Sequence, residues 1–177
     1  MEDSYHHYHA GVTRLDWNDV MSMCRELAER VQREYDPDII IGIAKAGVIP
    51  GAILASMLRK DFFPMRLSRR QKDRVVREKP AILVPMPEEV DGKLVLIVDE
   101  IAATGETMRL AVGEARKKGA KKVKTATLYV HAESWRPNWY ALETDDLIIQ
   151  PWDFEVLDRG RWVVHPEYQE EIDRIGR

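Results

Sequence analysis

Three apolar runs dominate the chain: DIIIGIA (38–44), KLVLIVD (93–99) and KVKTATLYV (122–130). Runs of this kind suit strands covered on both faces. Helical spacing separates them. VIPGAILASMLR (48–59) reads as a helix, with Pro50 tolerated in its first turn. Residues 105–118 read as a second, ended by Gly119. Ahead of the first strand, 17–32 place Trp17, Val20, Met21, Cys24, Leu27, Ala28 and Val31 on one helical face, with Asp16 as N-cap. FFPMRLS (62–68), AILVP (81–85), LIIQPWDF (147–154) and RWVV (161–164) are shorter strand candidates, and PEYQEEIDRI (166–175) is a closing helix. Alternating strands and helices predict an α/β fold, a mainly parallel sheet flanked by helices. In such sheets ligands bind beyond the carboxyl ends of the strands.

Composition narrows the class. At 177 residues the chain has enough length for one domain with a real core. No apolar run approaches the ~18 residues of a membrane span, so no membrane partner is expected. The polar start, MEDSYHHYHAG, has no apolar centre and does not read as a secretory signal. His6, His7 and His9 are read there as a solvated segment. One cysteine, Cys24, rules out an internal disulfide and fits a reducing, cytoplasmic setting. The net charge of −3 argues against a general nucleic-acid partner, but says little about small anions, which respond to local charge.

The chemistry concentrates at VLIVDEIAATGETM (95–108). Asp99 and Glu100 fall at the carboxyl end of a central strand, and Ala102 to Thr107 form the turn into a helix. Small residues let backbone N–H groups approach an anion, and the helix N-terminus favours it. Thr104 and Thr107 add hydroxyl donors. The two acids suit ribose hydroxyls or a hydrated Mg²⁺. The same residues also suit a plain strand–turn–helix connection with solvated acids. GIAKAG (42–47) lacks the Lys-Ser/Thr of a P-loop, and no G-x-G-x-x-G follows any strand.

The stretch 95–108 resembles the phosphoribosyl-diphosphate (PRPP) motif of the type I phosphoribosyltransferases: apolar strand, two acids, short loop, T-G-x-T. IIGIAKAGVIPGAILASML (40–58) is similar to the pyrophosphate loop and following helix of xanthine-guanine enzymes. ETDDLIIQPWD (143–153) resembles the base-covering segment of 6-oxopurine (hypoxanthine and xanthine-guanine) enzymes. The blocks come in the family order. The resemblance implies one domain over 1–177, with a small hood over the base site built from the N-terminal segment and roughly 131–177. It implies transfer of the phosphoribosyl group of PRPP to a free purine, a 6-oxopurine first, giving a nucleoside 5′-monophosphate and pyrophosphate with Mg²⁺. Such enzymes are expected as homodimers or higher homo-oligomers. Adenine or another N-heterocycle is the alternative, as is a non-catalytic PRPP or nucleotide sensor. For a DNA-binding sensor, the single amphipathic helix ahead of residue 38 is too little for a helix-turn-helix.

By resemblance, Asp99 and Glu100 are the catalytic pair on the ribose diol and, with Asp153, the metal ligands. Ala103, Thr104, Gly105, Glu106 and Thr107 take the 5′-phosphate. Lys45, Ala46 and Gly47 take pyrophosphate, with Arg66, Ser68 and Arg69 from a mobile basic segment. That segment, 66–79, holds seven basic and two acidic residues, and it also reads as a solvated charge run. Lys45 taken alone reads as a solvated surface lysine. His131, Leu147 and Ile148 border the base. Three positions depart from the 6-oxopurine pattern: Ala103 replaces an acid acting at purine N7, His131 a lysine at the 6-oxo group, and Leu147 a stacking aromatic. His131 also reads as an ordinary exposed histidine at a strand end. An alanine before T-G is what adenine enzymes show.

Overall fold

The computed structural model describes residues 11–68, 70–71, 74–75 and 80–175. In chain order these form β1 (Val12–Arg14), α1 (Trp17–Glu34), β2 (Ile39–Ala44), α2 (Val48–Leu58), β3 (Asp61–Ser68), β4 (Arg70–Gln71), β5 (Arg74–Val75), β6 (Ala81–Val84), β7 (Leu94–Ile101), α3 (Glu106–Lys117), β8 (Lys122–Val130), β9 (Trp139–Glu143), β10 (Leu147–Ile149), β11 (Glu155–Asp158), β12 (Arg161–Val164) and α4 (Pro166–Ile175). They gather into two compact units, 11–20 with 144–175, and 21–143. Among the described residues no helix is long and apolar enough to cross a membrane.

The larger unit is built on a six-stranded sheet of order β6-β3-β2-β7-β8-β9. All pairings are parallel except β6 on β3. The fold class is the expected α/β one. The central strands carry the apolar runs because both of their faces are covered: Ile39, Ile40, Ile41, Val95, Leu96, Ile97 and Val98 are all buried. Two glycines let α2 settle directly on β2. A Cβ at Gly51 would lie 3.2 Å from the Gly42 Cα, and one at Gly42 would lie 3.0 Å from the Val48 Cα. The carboxyl ends of β2, β3, β7 and β8 therefore open on the same edge of the sheet, where the loops at 44–47, 101–106 and 131–138 leave it.

The smaller unit pairs β1 with β10 in parallel and folds β11 onto β12 as an antiparallel ribbon. Asp16 and Asp19 exchange N–H to carboxylate bonds of 2.8 and 2.9 Å at the start of α1, so Asp16 is the N-cap.

Three expectations need correction. Val20, Cys24, Leu27, Ala28 and Val31 are buried, but Trp17 is 51% exposed and Met21 36%. They lie at the margin of the apolar stripe, where helical spacing alone does not separate facing from flanking positions. β7 also runs through both acids to Ile101 instead of stopping at Asp99. The strand expected over 147–154 is confined to Leu147–Ile149 before a turn at 151–153, and Val12–Arg14, Trp139–Glu143 and Glu155–Asp158 are strands that the apolar pattern does not predict.

Candidate functional site

The site grows from the end of β7. Asp99 and Glu100 are consecutive and half-buried there, with Asp99 level with Thr127 of β8. On the other side the turn Ala44-Lys45-Ala46-Gly47 leaves β2. A Cβ on Gly47 would stand 2.7 Å from both the Cα and Oδ1 of Asp99 and 2.8 Å from the Ile43 carbonyl oxygen. Only hydrogen fits in that gap, so the turn's backbone lies directly against Asp99. The Ala44–Lys45 peptide is cis. Val48 N–H donates to Lys45 O (3.2 Å) and Ile49 N–H to Ala46 O (3.1 Å). Lys45 is exposed.

Asp99 is electrostatically unusual. Its carboxyl is enclosed although the residue keeps some exposed surface, and burial with the Glu100 charge and a side-chain bond to Glu100 holds it well above the ordinary carboxylate range. The bond that Glu100 N–H donates to Asp99 Oδ1 (2.9 Å) works the other way and is outweighed. The folded state therefore keeps a proton that the unfolded chain releases near pH 4. Stability falls as pH rises through that window toward the raised native value. Asp99→Asn is accordingly expected to raise the melting temperature at pH 7, by about 2–4 °C for each kcal/mol relieved. The gain should vanish below about pH 4, where both states are protonated. Melting curves from pH 3 to 8 check this; an Asn variant less stable at pH 7 would contradict it.

The loop after β7 is short of side chain and held by backbone. Ala102 is buried, and Gly105 sits at φ +75°, the left-handed region glycine enters freely. It is the N-cap of α3 and offers no side-chain cap, so the first-turn N–H groups lack intrahelical acceptors. Thr104 Oγ1 accepts from Glu106 N–H at 3.4 Å. Arg109 clamps the loop with its guanidinium on Thr104 O and its N–H on Gly105 O, both at 2.8 Å. Trp135 N–H donates to Ala103 O at 2.9 Å.

Arg66 of β3 pairs in register with Ala44, which places it beside the 44–47 turn, and it is exposed; Ser68 is half-buried two residues on. Arg69 lies outside the described residues, as do His6, His7 and His9. Within the basic segment β4 pairs with β5. His131 follows β8 directly and is 6% exposed, so it is not a free surface histidine. Its N–H donates to Ser134 Oγ (3.1 Å), Ser134 N–H returns a bond to His131 O (3.0 Å), and its ring meets Tyr129 edge-on at 6.4 Å.

The larger unit thus brings together 44–47, Arg66, Ser68, Asp99, Glu100, 103–107 and His131. Leu147, Ile148 and Asp153 belong to the smaller unit. Leu147 and Ile148 are buried in β10 opposite Val12 and Thr13, and Asp153 accepts a bond from the Tyr168 hydroxyl (2.8 Å). Arg109 and Trp135 were not anticipated. Trp135 has no local mark, since it reaches the loop from the segment after β8, whereas Arg109 acts from the first turn of α3 itself.

Among the described residues no group of three or more His, Cys, Asp or Glu side chains gathers as a metal cage. Two adjacent carboxylates nevertheless fit Mg²⁺, which keeps most of its waters and uses one or two carboxylates with substrate phosphates. Burial contributes most to raising Asp99, and the Glu100 charge that adds to it is the part a cation relieves.

The phosphoribosyl transferase domain matches residues 15–159. The chain is 33% identical to a purine phosphoribosyltransferase of known structure from Pyrococcus horikoshii Ot3, with TM-score 0.72, covering 84% of this chain and 99% of that one. It is 29% identical over 126 residues to the hypoxanthine-guanine phosphoribosyltransferase of Schizosaccharomyces pombe, 61% of each chain. It is 34% identical over 120 residues to the adenine phosphoribosyltransferase of Xanthomonas euvesicatoria pv. vesicatoria, 64% of each. The chain thus spans somewhat under two thirds of these two curated relatives.

Proposed function

We propose, from the premise that the chain belongs to the phosphoribosyl transferase domain family, that it transfers the phosphoribosyl group of PRPP to a free purine base. The observation that carries this reading is the contact of the 44–47 turn with Asp99, so close that a Cβ on Gly47 would lie 2.7 Å from it. It sets one stretch of backbone suited to an anion against the acid pair, and the chain order supplies a second, 103–107, just after it, which supports a ligand carrying phosphates at two ends of a ribose. In this reading the 103–107 loop binds the 5′-phosphate through the first-turn N–H groups of α3. Asp99 and Glu100 accept bonds from the 2′- and 3′-hydroxyls. Backbone at 45–47 binds pyrophosphate, with Arg66 and Ser68 at its rim. A nitrogen of the base forms the bond to C1′ as the bond from C1′ to the pyrophosphate oxygen breaks; pyrophosphate leaves with that electron pair, and the base releases its proton to solvent water. Asp99 and Glu100 would hold a hydrated Mg²⁺, whose charge eases departure of pyrophosphate when it is bound. Leu147, Ile148 and Asp153, in the other unit, carry no part of this proposal.

A 6-oxopurine is the first substrate class, in keeping with the similarity to a hypoxanthine-guanine phosphoribosyltransferase. Adenine is the second, favoured by Ala103, which has no proton to give. Steady-state pyrophosphate release with hypoxanthine, guanine, xanthine and adenine separates them. General acid–base catalysis is worth about 10²–10⁴ in rate, so 6-oxopurine turnover should be slow and Ala103→Asp should raise it at least about tenfold. Good turnover of adenine, with no gain on any oxopurine in the variant, would reject the 6-oxopurine reading.

A further inference from the structure

We propose that Trp135 is a positioning residue for the 5′-phosphate loop, a wall that holds Gly105 and Ala103 in the anion-binding conformation. The inference rests on the reading of 103–107 as that loop.

Arg109 secures Thr104 O and Gly105 O from α3, but it leaves Ala103 and the open side of Gly105 without support. The loop's residues are small, Thr104 is exposed, and Gly105 at φ +75° is free to leave that conformation. Trp135 supplies what is missing at two points. Its N–H bonds Ala103 O at 2.9 Å. Its ring fills the side of Gly105 where a side chain would stand: a Cβ there would lie 2.3 Å from Trp135 Cγ, 2.6 Å from Cβ and 2.7 Å from Cδ2. The indole is half-buried and packs against the core cluster that includes Met108 and Ala111 of α3. It therefore braces the loop and the first turns of the following helix together.

The wall is itself fixed. Asn138 N–H donates to Thr125 Oγ1 (3.2 Å), and Asn138 Oδ1 accepts from Thr125 N–H (3.0 Å). Pro137 is buried, and His131 and Ser134 close the start of the segment with reciprocal bonds of 3.1 and 3.0 Å. A rigid segment off β8 thus sets the backbone of the loop off β7, and it joins His131 to the phosphate side of the site. Preorganised donors bind anions with less ordering cost than donors that must be gathered.

The test separates loop positioning from general stability by using two ligands. Ribose 5-phosphate engages the loop, and magnesium pyrophosphate does not. Trp135→Leu is expected to weaken ribose 5-phosphate at least tenfold in calorimetry and leave magnesium pyrophosphate within twofold. Trp135→Phe, which keeps a flat ring, should recover most of the loss. A second measurement serves if the Leu variant does not fold: indole emission of wild type should change on adding ribose 5-phosphate, and that change should be absent in Trp135→Phe. Unchanged ribose 5-phosphate affinity in folded Trp135→Leu, equal loss of both ligands, or the same emission change in Trp135→Phe would each overturn the inference while leaving the loop's assignment intact. Failure of wild type to bind ribose 5-phosphate would overturn the assignment and the inference with it.

Discussion

Gly105→Val is expected to abolish capture of the 5′-phosphate and to cost the protein stability. The position fails a side chain twice. Its φ of +75° is a region that β-branched residues avoid, at a cost on the order of 1–3 kcal/mol. A Cβ would also meet Trp135 at 2.3 Å, and displacing a packed ring costs about 1–3 kcal/mol more. The backbone has to move, and the first-turn N–H groups of α3 move with it. Melting temperature should fall by about 10 °C, and affinity for ribose 5-phosphate or a nucleoside monophosphate should drop below detection. A folded variant with wild-type affinity would place the cradle elsewhere. Gly47 differs in kind, because its φ of −65° is ordinary and the constraint there is only the closeness of Asp99.

The double substitution Asp99→Asn with Glu100→Gln is expected to weaken PRPP by about 10²–10⁴, since hydrogen bonds to charged groups contribute about 1.5–3 kcal/mol each. Fold and stability should survive, because the substitution removes the cost of enclosing the Asp99 carboxyl beside the Glu100 charge. Loss of binding together with an unchanged or higher melting temperature marks these acids as kept for ligand at the expense of stability. Calorimetry with PRPP and Mg²⁺ reads the first, and thermal melts the second. Unaltered affinity in the folded double variant would remove the acids from the ribose.

The strong parallel strands were legible in sequence because burial on both faces writes itself as continuous apolar residues. The predicted bounds 122–130, 161–164 and 166–175 coincide with β8, β12 and α4. Strands of low apolar contrast were not legible. WYALE is half-buried for most of its length, and Val12–Arg14 is a strand only by pairing with Leu147–Ile149 far along the chain. The acids and glycines of the candidate site were legible because their spacing is local. What constrains them was not: the contact of Gly47 with Asp99 and of Gly105 with Trp135 arises when loops from β2, β7 and β8 meet, and no periodicity encodes such a meeting. The burial of His131, at the start of the turn to Ser134, is likewise not encoded by its place at a strand end.

Phosphorus NMR of the protein with PRPP, Mg²⁺ and the four purine bases in turn tests the central claim most directly. With at least one base, the PRPP resonances should decline as free pyrophosphate and a new sugar 5′-phosphate resonance grow in equal amounts, and they should not change when the base is omitted. PRPP that stays intact with every base, or pyrophosphate released without a matching nucleotide, would contradict phosphoribosyl transfer.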